Sequence, residues 1–229
     1  FNADAFVRLN TTSGDMRALY EWPVKLKPSG SRRYHFVGAF FDPQRRRLWA
    51  APYDDVHALT LSVDNETFMR VPIASGHLGA RRSFHGIVSE GKHAWFVPHG
   101  SPYILAFDLG TLALRHAIHI NTQLKYPASD FAFVGAFWDS TALYFVQWGK
   151  GGHVRLDPEN AQASFIRDVP QNGISLPDSG GWMGAAFDGE TRYLAPFMAD
   201  RLVTIDDFGT GRVRSSWPHN FTYSTGAFS

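Results

Sequence analysis

Four residues best placed to do chemistry each follow a recurrent proline or glutamine: Tyr53 after Pro52, His99 after Pro98, Trp148 after Gln147 and Phe197 after Pro196. All four are aromatic or histidine. A second set lies at the entrance to segments built around a repeated glycine: His35 with Phe36, Phe84 with His85, Asp130 with Phe133, and Asp178 with Trp182. Aromatic faces bordered by a few hydrogen-bonding groups suit sugar rings, whose C–H patches stack on π surfaces while their hydroxyls seek polar side chains. The expected ligand-binding set is therefore Tyr53, His99, Trp148, Phe197, His35, His85, Trp182, Asp130 and Asp178. The competing use of these rings is to plug loops and seal gaps between repeated units. Trp148 is expected to be the most exposed, because Gly149, Gly151 and Gly152 beside it supply little packing.

The ten histidines raise the question of a metal. There is no His-Glu-x-x-His motif and no cysteine, so neither a metal nor a cofactor is expected. For hydrolysis by paired carboxylates the candidates are Asp54, Asp55, Asp130, Asp178 and Asp200. A glycosidase needs two carboxyls roughly 5–10 Å apart across its substrate. The segments Phe-Val-Gly-Ala-Phe, Phe-His-Gly-Ile-Val and Trp-Met-Gly-Ala-Ala contain no acid. A non-enzymatic, lectin-like role is thus read ahead of a carbohydrate-active enzyme using Asp130 and Asp178. A protein-interaction scaffold is the third reading.

What must position these residues is a repeat. The stretches Phe36–Tyr53, Phe133–Trp148 and Trp182–Phe197 share one plan, and Gly38, Gly86, Gly135 and Gly184 recur at intervals of 48, 49 and 49. Between them lie short aromatic or β-branched runs bounded by turn formers, in the first unit Phe36 to Phe41, Leu48 to Tyr53, Val56 to Val63 and Phe68 to Ile73. A period of about 40–50 residues carrying four antiparallel strands is the signature of propeller blades around an axis. Innermost strands converge there, which fits the small Gly-Ala or Gly-Ile centre of each first strand. Phe40, Trp49, Trp95, Phe137, Tyr144, Phe187 and Tyr193 are then read as core. The fold class is all-β, a five-bladed propeller over residues 1–229 with units starting near 36, 84, 133 and 182. The fifth blade is a composite of 1–35 and 223–229, closed by a C-terminal inner strand. Another chain, or more of this one, is a candidate supplier of the strand this composite lacks.

In plan these units resemble the small five-bladed lectin type of β-propeller, a likeness that implies a binding role. A partial match to the Asp-box turn of sialidase-type propellers occurs at Ser62-Val63-Asp64-Asn65-Glu66-Thr67-Phe68 and Ala106-Phe107-Asp108-Leu109-Gly110. Asp64, Asp108, Asp157 and Asp206 recur in every unit and are read as turn-fixing acceptors of backbone N–H groups.

Bulk composition narrows the partners. Across 229 residues, 22 Lys and Arg face 21 Asp and Glu, so there is no electrostatic reason to expect nucleic acid. No apolar run is long enough for membrane insertion by a helix. Sequons at Asn10, Asn65 and Asn220 favour a secreted, extracellular glycoprotein, with a glycan or small polar ligand as partner.

Overall fold

The computed structural model describes residues 6–19, 35–80, 82–124, 133–148, 152–166, 181–199, 201–207 and 212–218. Eighteen strands form these segments. Four sheets of four antiparallel strands follow the chain: β3 (Phe36–Asp42), β4 (Arg47–Pro52), β5 (His57–Ser62) and β6 (Phe68–Pro72); then β7 (Phe84–Ser89), β8 (His93–Pro98), β9 (Tyr103–Asp108) and β10 (Leu114–His119). The third sheet holds β11 (Phe133–Trp138), β12 (Leu143–Gln147), β13 (His153–Asp157) and β14 (Gln162–Ile166), and the fourth β15 (Trp182–Phe187), β16 (Arg192–Pro196), β17 (Arg201–Asp207) and β18 (Arg212–Pro218). These are the units expected near 36, 84, 133 and 182. The first strands β3, β7, β11 and β15 pack consecutively against one another, as inner strands around an axis do.

The repeated glycines explain that packing. In all four inner strands the pairing register slips at or beside the glycine, a β-bulge between Phe36 and Ala39, Phe84 and Ile87, Phe133 and Gly135, and Trp182 and Gly184. Gly38 has φ 77°, and a Cβ added there would lie 2.6 Å from the Cα of Gly86. A Cβ on Gly135 would lie 2.8 Å from the Cα of Gly184. Backbones this close leave room only for hydrogen.

The aromatic residues fill the spaces between blades. Trp49, Phe84, Phe96 and Phe107 form the core joining the first two blades, each at 2% exposure or less. Trp95, Phe133 and Phe145 join the second and third, and Tyr144, Trp182, Leu194 and Val203 the third and fourth. Of the expected core residues Trp49, Trp95, Phe137 and Tyr144 are buried, and Phe40 and Phe187 pack partly against the cores. Tyr193 is half-buried, and its hydroxyl donates to Asp188 Oδ2 at 2.8 Å. One ion pair bridges the third and fourth blades: Arg192 Nη2 meets the fully covered Asp139 carboxylate at 2.5 Å.

The closed five-blade ring is not what the described residues form. β1 (Phe6–Leu9) and β2 (Met16–Leu19) pair as a hairpin and seat on the first blade through Phe6 against Phe68, 5.4 Å between ring centroids, and through Arg8 and Arg17 on Glu66. On their other face Val7 is 63%, Leu9 55% and Met16 74% exposed, and among the described residues no further blade packs on it. Residues 223–229, expected to supply the closing strand, lie outside the described residues. The turn aspartates are also less uniform than expected. Asp108 accepts from the Gly110 and Thr111 amides and Asp157 from that of Glu159, but Asp64 pairs with the Arg46 guanidinium while Asn65 holds the Thr67 amide. The Asp206 side chain lies outside what is described.

Candidate small-molecule site at the mouth of the blades

In each blade the end of the second strand and the start of the first lie at the same end of the sheet. Backbone hydrogen bonds tie them together. The Tyr53 amide donates to His35 O at 2.8 Å, the His99 amide to Ser83 O at 2.9 Å and the Phe197 amide to Gly181 O at 3.1 Å, an equivalent bond in three blades. The next blade is attached in turn: Ser83 N donates to Tyr53 O at 2.7 Å, and Gly181 N to Trp148 O at 2.8 Å. These amides belong to loops, which lack sheet partners, so pairing across blades satisfies them.

That thread brings four ring-bearing residues into one row. Tyr53 stacks on His99 at 5.8 Å between centroids, His99 meets Trp148 edge-on at 6.3 Å, and Trp148 meets Phe197 at 5.2 Å. His85 enters beside the row, 5.9 Å from Tyr53 and 5.2 Å from His99. Tyr53 and His99 are buried, at 9% and 5% exposure, whereas Trp148, Phe197 and His85 are half-buried. Sequence spacing thus places Tyr53, His99, Trp148, Phe197 and His85 in one cluster. The rings face one another rather than opening separately in each blade.

The electrostatics of the cluster follow from this burial. His99 Nδ1 lies 2.9 Å from the Phe133 carbonyl oxygen, so that nitrogen carries the proton and donates. Burial lowers the His99 pKa to about 4, against the Phe133 hydrogen bond and with help from the nearby His85 and Arg82 charges. The His85 pKa is lowered too, by burial that outweighs backbone hydrogen bonds at His85 and Val134. Both imidazoles are neutral at neutral pH. Arg82, on the loop entering the second blade, sets its guanidinium 6.0 Å from the Tyr53 ring centre.

The remaining expected site residues fall elsewhere. His35 turns toward Asp55, with Nδ1 3.3 Å from Oδ2, and its buried Nε2 has no hydrogen-bond partner. Asp55 also accepts the Val56 and His57 amides at 2.7 and 3.1 Å, which makes it a loop-fixing group. Trp182 corrects the expectation: at 1% exposure it belongs to the core of the third and fourth blades and offers no surface to a ligand. The inward-facing start of β15 buries it. Asp130, Asp178 and Asp200 lie outside the described residues. Trp148 is half-buried because Phe197 and His99 cover it, so its glycine-rich surroundings did not leave it open. Among the described residues no three His, Asp or Glu groups converge as metal ligands. Arg82 is the member that sequence reasoning missed; its only signal was adjacency to Ser83-Phe84-His85.

No protein-family model matches the sequence, and no curated protein matches it. Solved structures do match the fold. The chain resembles virginiamycin B lyase from Staphylococcus aureus with a TM-score of 0.70 at 15% identity, over 96% of this chain and 64% of that one. It resembles a streptogramin B lyase with a TM-score of 0.63 at 13% identity, over 96% and 63%. Hydrazine synthase from Kuenenia stuttgartiensis follows with a TM-score of 0.58 at 11% identity, over 84% and 52%. The chain therefore spans less than two thirds of the length of these proteins. At such identities the likeness shows the fold alone: β-propeller-type blades of four antiparallel strands.

Proposed function

We propose that the mouth is a single small-molecule site that performs acid–base chemistry, with His85 accepting a proton from the bound ligand. The observation that carries this reading is the His85–His99 pair, 5.2 Å between ring centroids and held neutral by burial. A general base must be unprotonated at working pH, and a lowered pKa keeps His85 available where an ordinary histidine is already charged. His99, anchored to the Phe133 carbonyl, fixes the orientation of the pair. Tyr53, Trp148 and Phe197 form the apolar wall against which a ligand lies. Removal of a proton begins many eliminations, and two proteins with similar folds are named as lyases. That agreement supports an enzymatic role over the lectin-like one. Repeated lectin sites need an open ring face in every blade, whereas Tyr53 and His99 are stacked on each other.

Glycan binding is the second reading, favoured by half-buried Trp148 and Phe197, which form a tilted aromatic shelf. Turnover separates the two. The protein is incubated with a small-molecule panel that includes virginiamycin B, with products resolved by chromatography. A product formed by the wild type and reduced at least about 100-fold in His85→Ala supports the base assignment. Turnover unchanged in His85→Ala overturns it. Saturable oligosaccharide binding without product from any panel member favours the second reading.

A further inference from the structure

A buried carboxylate sits in the turn joining β7 to β8, away from the mouth. The Glu90 side chain is only 7% exposed. Its Oε2 accepts the Trp95 indole N–H at 2.7 Å, and its Oε1 lies 2.5 Å from His93 Nδ1. An ionised carboxylate only accepts, so Nδ1 carries the proton and donates it. That bond fixes the His93 ring and leaves Nε2 as the lone-pair nitrogen. Nε2 has no hydrogen-bond partner among the described residues, and the His93 side chain keeps 17% exposure.

Strand pairing brings a second imidazole beside the first. Trp95 and His116 both pair with Ala106, one from each side of β9, and a bulge after Leu114 sets His116 in that row. The small Ala106 side chain lets the two large rings meet across it. His116 lies flat on Trp95, 5.7 Å between centroids and 3° between planes, and its centre is 5.8 Å from that of His93. Neither nitrogen of His116 is hydrogen-bonded among the described residues, and the adjacent Arg115 guanidinium is turned to Asp108, with Nη2 3.3 Å from Oδ2.

Two side-by-side imidazoles with free nitrogens, one backed by a buried carboxylate, are a donor set for a transition-metal ion. An ion about 2.1 Å from each ligating nitrogen joins imidazoles whose centres lie roughly 5–6.5 Å apart. The His93–His116 separation falls in that range. Glu90 is not a third ligand, because both its oxygens are spent on Trp95 and His93; it stands behind His93, where a carboxylate orients a metal-binding imidazole. Charge favours the ion too. Among the described residues no Lys or Arg pairs with Glu90, so a cation on the far side of His93 supplies the positive charge that this buried carboxylate lacks. We propose that His93 and His116 bind a divalent transition-metal ion such as Zn2+, with water in the remaining positions and Glu90 orienting His93. This site is separate from the mouth and independent of the function assigned there.

The probe is Zn2+ alone, titrated into the full chain at neutral pH while the histidine ring protons are followed by NMR. The signals of His93 and His116 should shift together and saturate at about one ion per chain. His116→Ala leaves the Glu90 contacts intact and should weaken Zn2+ binding at least about tenfold, and Glu90→Gln, which loosens the His93 ring, should weaken it about 10–100-fold. The urea midpoint of each metal-free variant checks that the fold is retained. Signals of His93 and His116 that stay in place up to about 1 mM Zn2+ overturn the site. Unchanged affinity in His116→Ala reduces it to binding by a single histidine and overturns it as well. Unchanged affinity in Glu90→Gln overturns the orienting role given to Glu90.

Discussion

At the turn end of the blades Asp139 is a carboxylate held charged; at the mouth end His99 is an imidazole held neutral. Burial alone would raise the Asp139 pKa, but the Arg192 guanidinium, the Thr141 hydroxyl and the Ala142 and Thr141 amides outweigh it and lower it to about 2. Asp108 is likewise lowered to about 2, first by the Thr111 amide, and Asp188 is lowered by the Thr191 and Glu190 amides. At the mouth, burial dominates, and the His85 and His99 pKa values fall because nothing strong enough favours the charged ring. At the turn end Asp108, Asp139 and Asp188 each accept backbone amides of their own turns, so these carboxylates are spent on turn geometry. The other end differs from blade to blade, and that is where neutral bases and the Arg82 guanidinium meet. Identical blades can therefore carry the fold at one end and leave the other for chemistry.

The largest effect that sharpens this contrast comes from the turn end. Asp139→Ala removes the buried carboxylate that pairs with the Arg192 guanidinium and should cost about 3–5 kcal/mol, read as a lower urea midpoint. The NMR signals of His85 and His99 should stay in place, since the mouth is at the opposite end of the blades. A shift in those signals would break the separation of roles.

Next comes acid stability. A histidine whose folded pKa is depressed makes the unfolded chain the better proton binder, so stability rises with pH across that window. For His99, between an unfolded value near 6.5 and a folded value of about 4, the loss on acidification is about 3 kcal/mol. His153, fully buried with its Nδ1 accepting the Gln147 amide and a pKa of about 3, acts in the same direction. Asp139 acts lower: its stabilisation is complete above about 3.8 and is lost as pH falls toward 2. Acid denaturation should thus begin below pH 6.5 from the mouth end and steepen below pH 4 from the turn end. His99→Gln should flatten only the upper stage.

Much of the turn end was legible in the sequence. Asp42-Pro43-Gln44 and Asp188-Gly189-Glu190 announce hairpins, and the structure closes them between β3 and β4 and between β15 and β16. The period of the glycines located the inner strands because only a missing Cβ permits the Gly38–Gly86 approach. The row of Tyr53, His99, Trp148 and Phe197 was legible too, since equivalent positions in a repeat share a face. Its packing was not. Whether rings open outward or stack on one another depends on the angle between blades, which a single chain does not encode locally. The Trp182 burial and the Arg82 placement share that origin: one follows from packing against Tyr144 of the neighbouring blade, the other from a crossover held by Tyr53 and Gly100.

Smaller effects refine the picture. Trp148→Ala should weaken ligand binding about tenfold and change stability by less than about 1 kcal/mol, because a half-buried ring contributes contact more than core. Calorimetry with and without the ligand checks both numbers. Smallest of all, Asp188→Asn leaves a group that still accepts the Glu190 and Thr191 amides at an exposed turn, so neither the urea midpoint nor turnover should move measurably.

The most direct test of the neutral-imidazole mouth is an NMR titration of the ring protons of His85 and His99 in the intact chain. The account predicts that both titrate below 6.5, with His99 near 4. If either ring instead titrates at 7 or above, the mouth holds imidazolium at neutral pH and the base assigned to it does not exist.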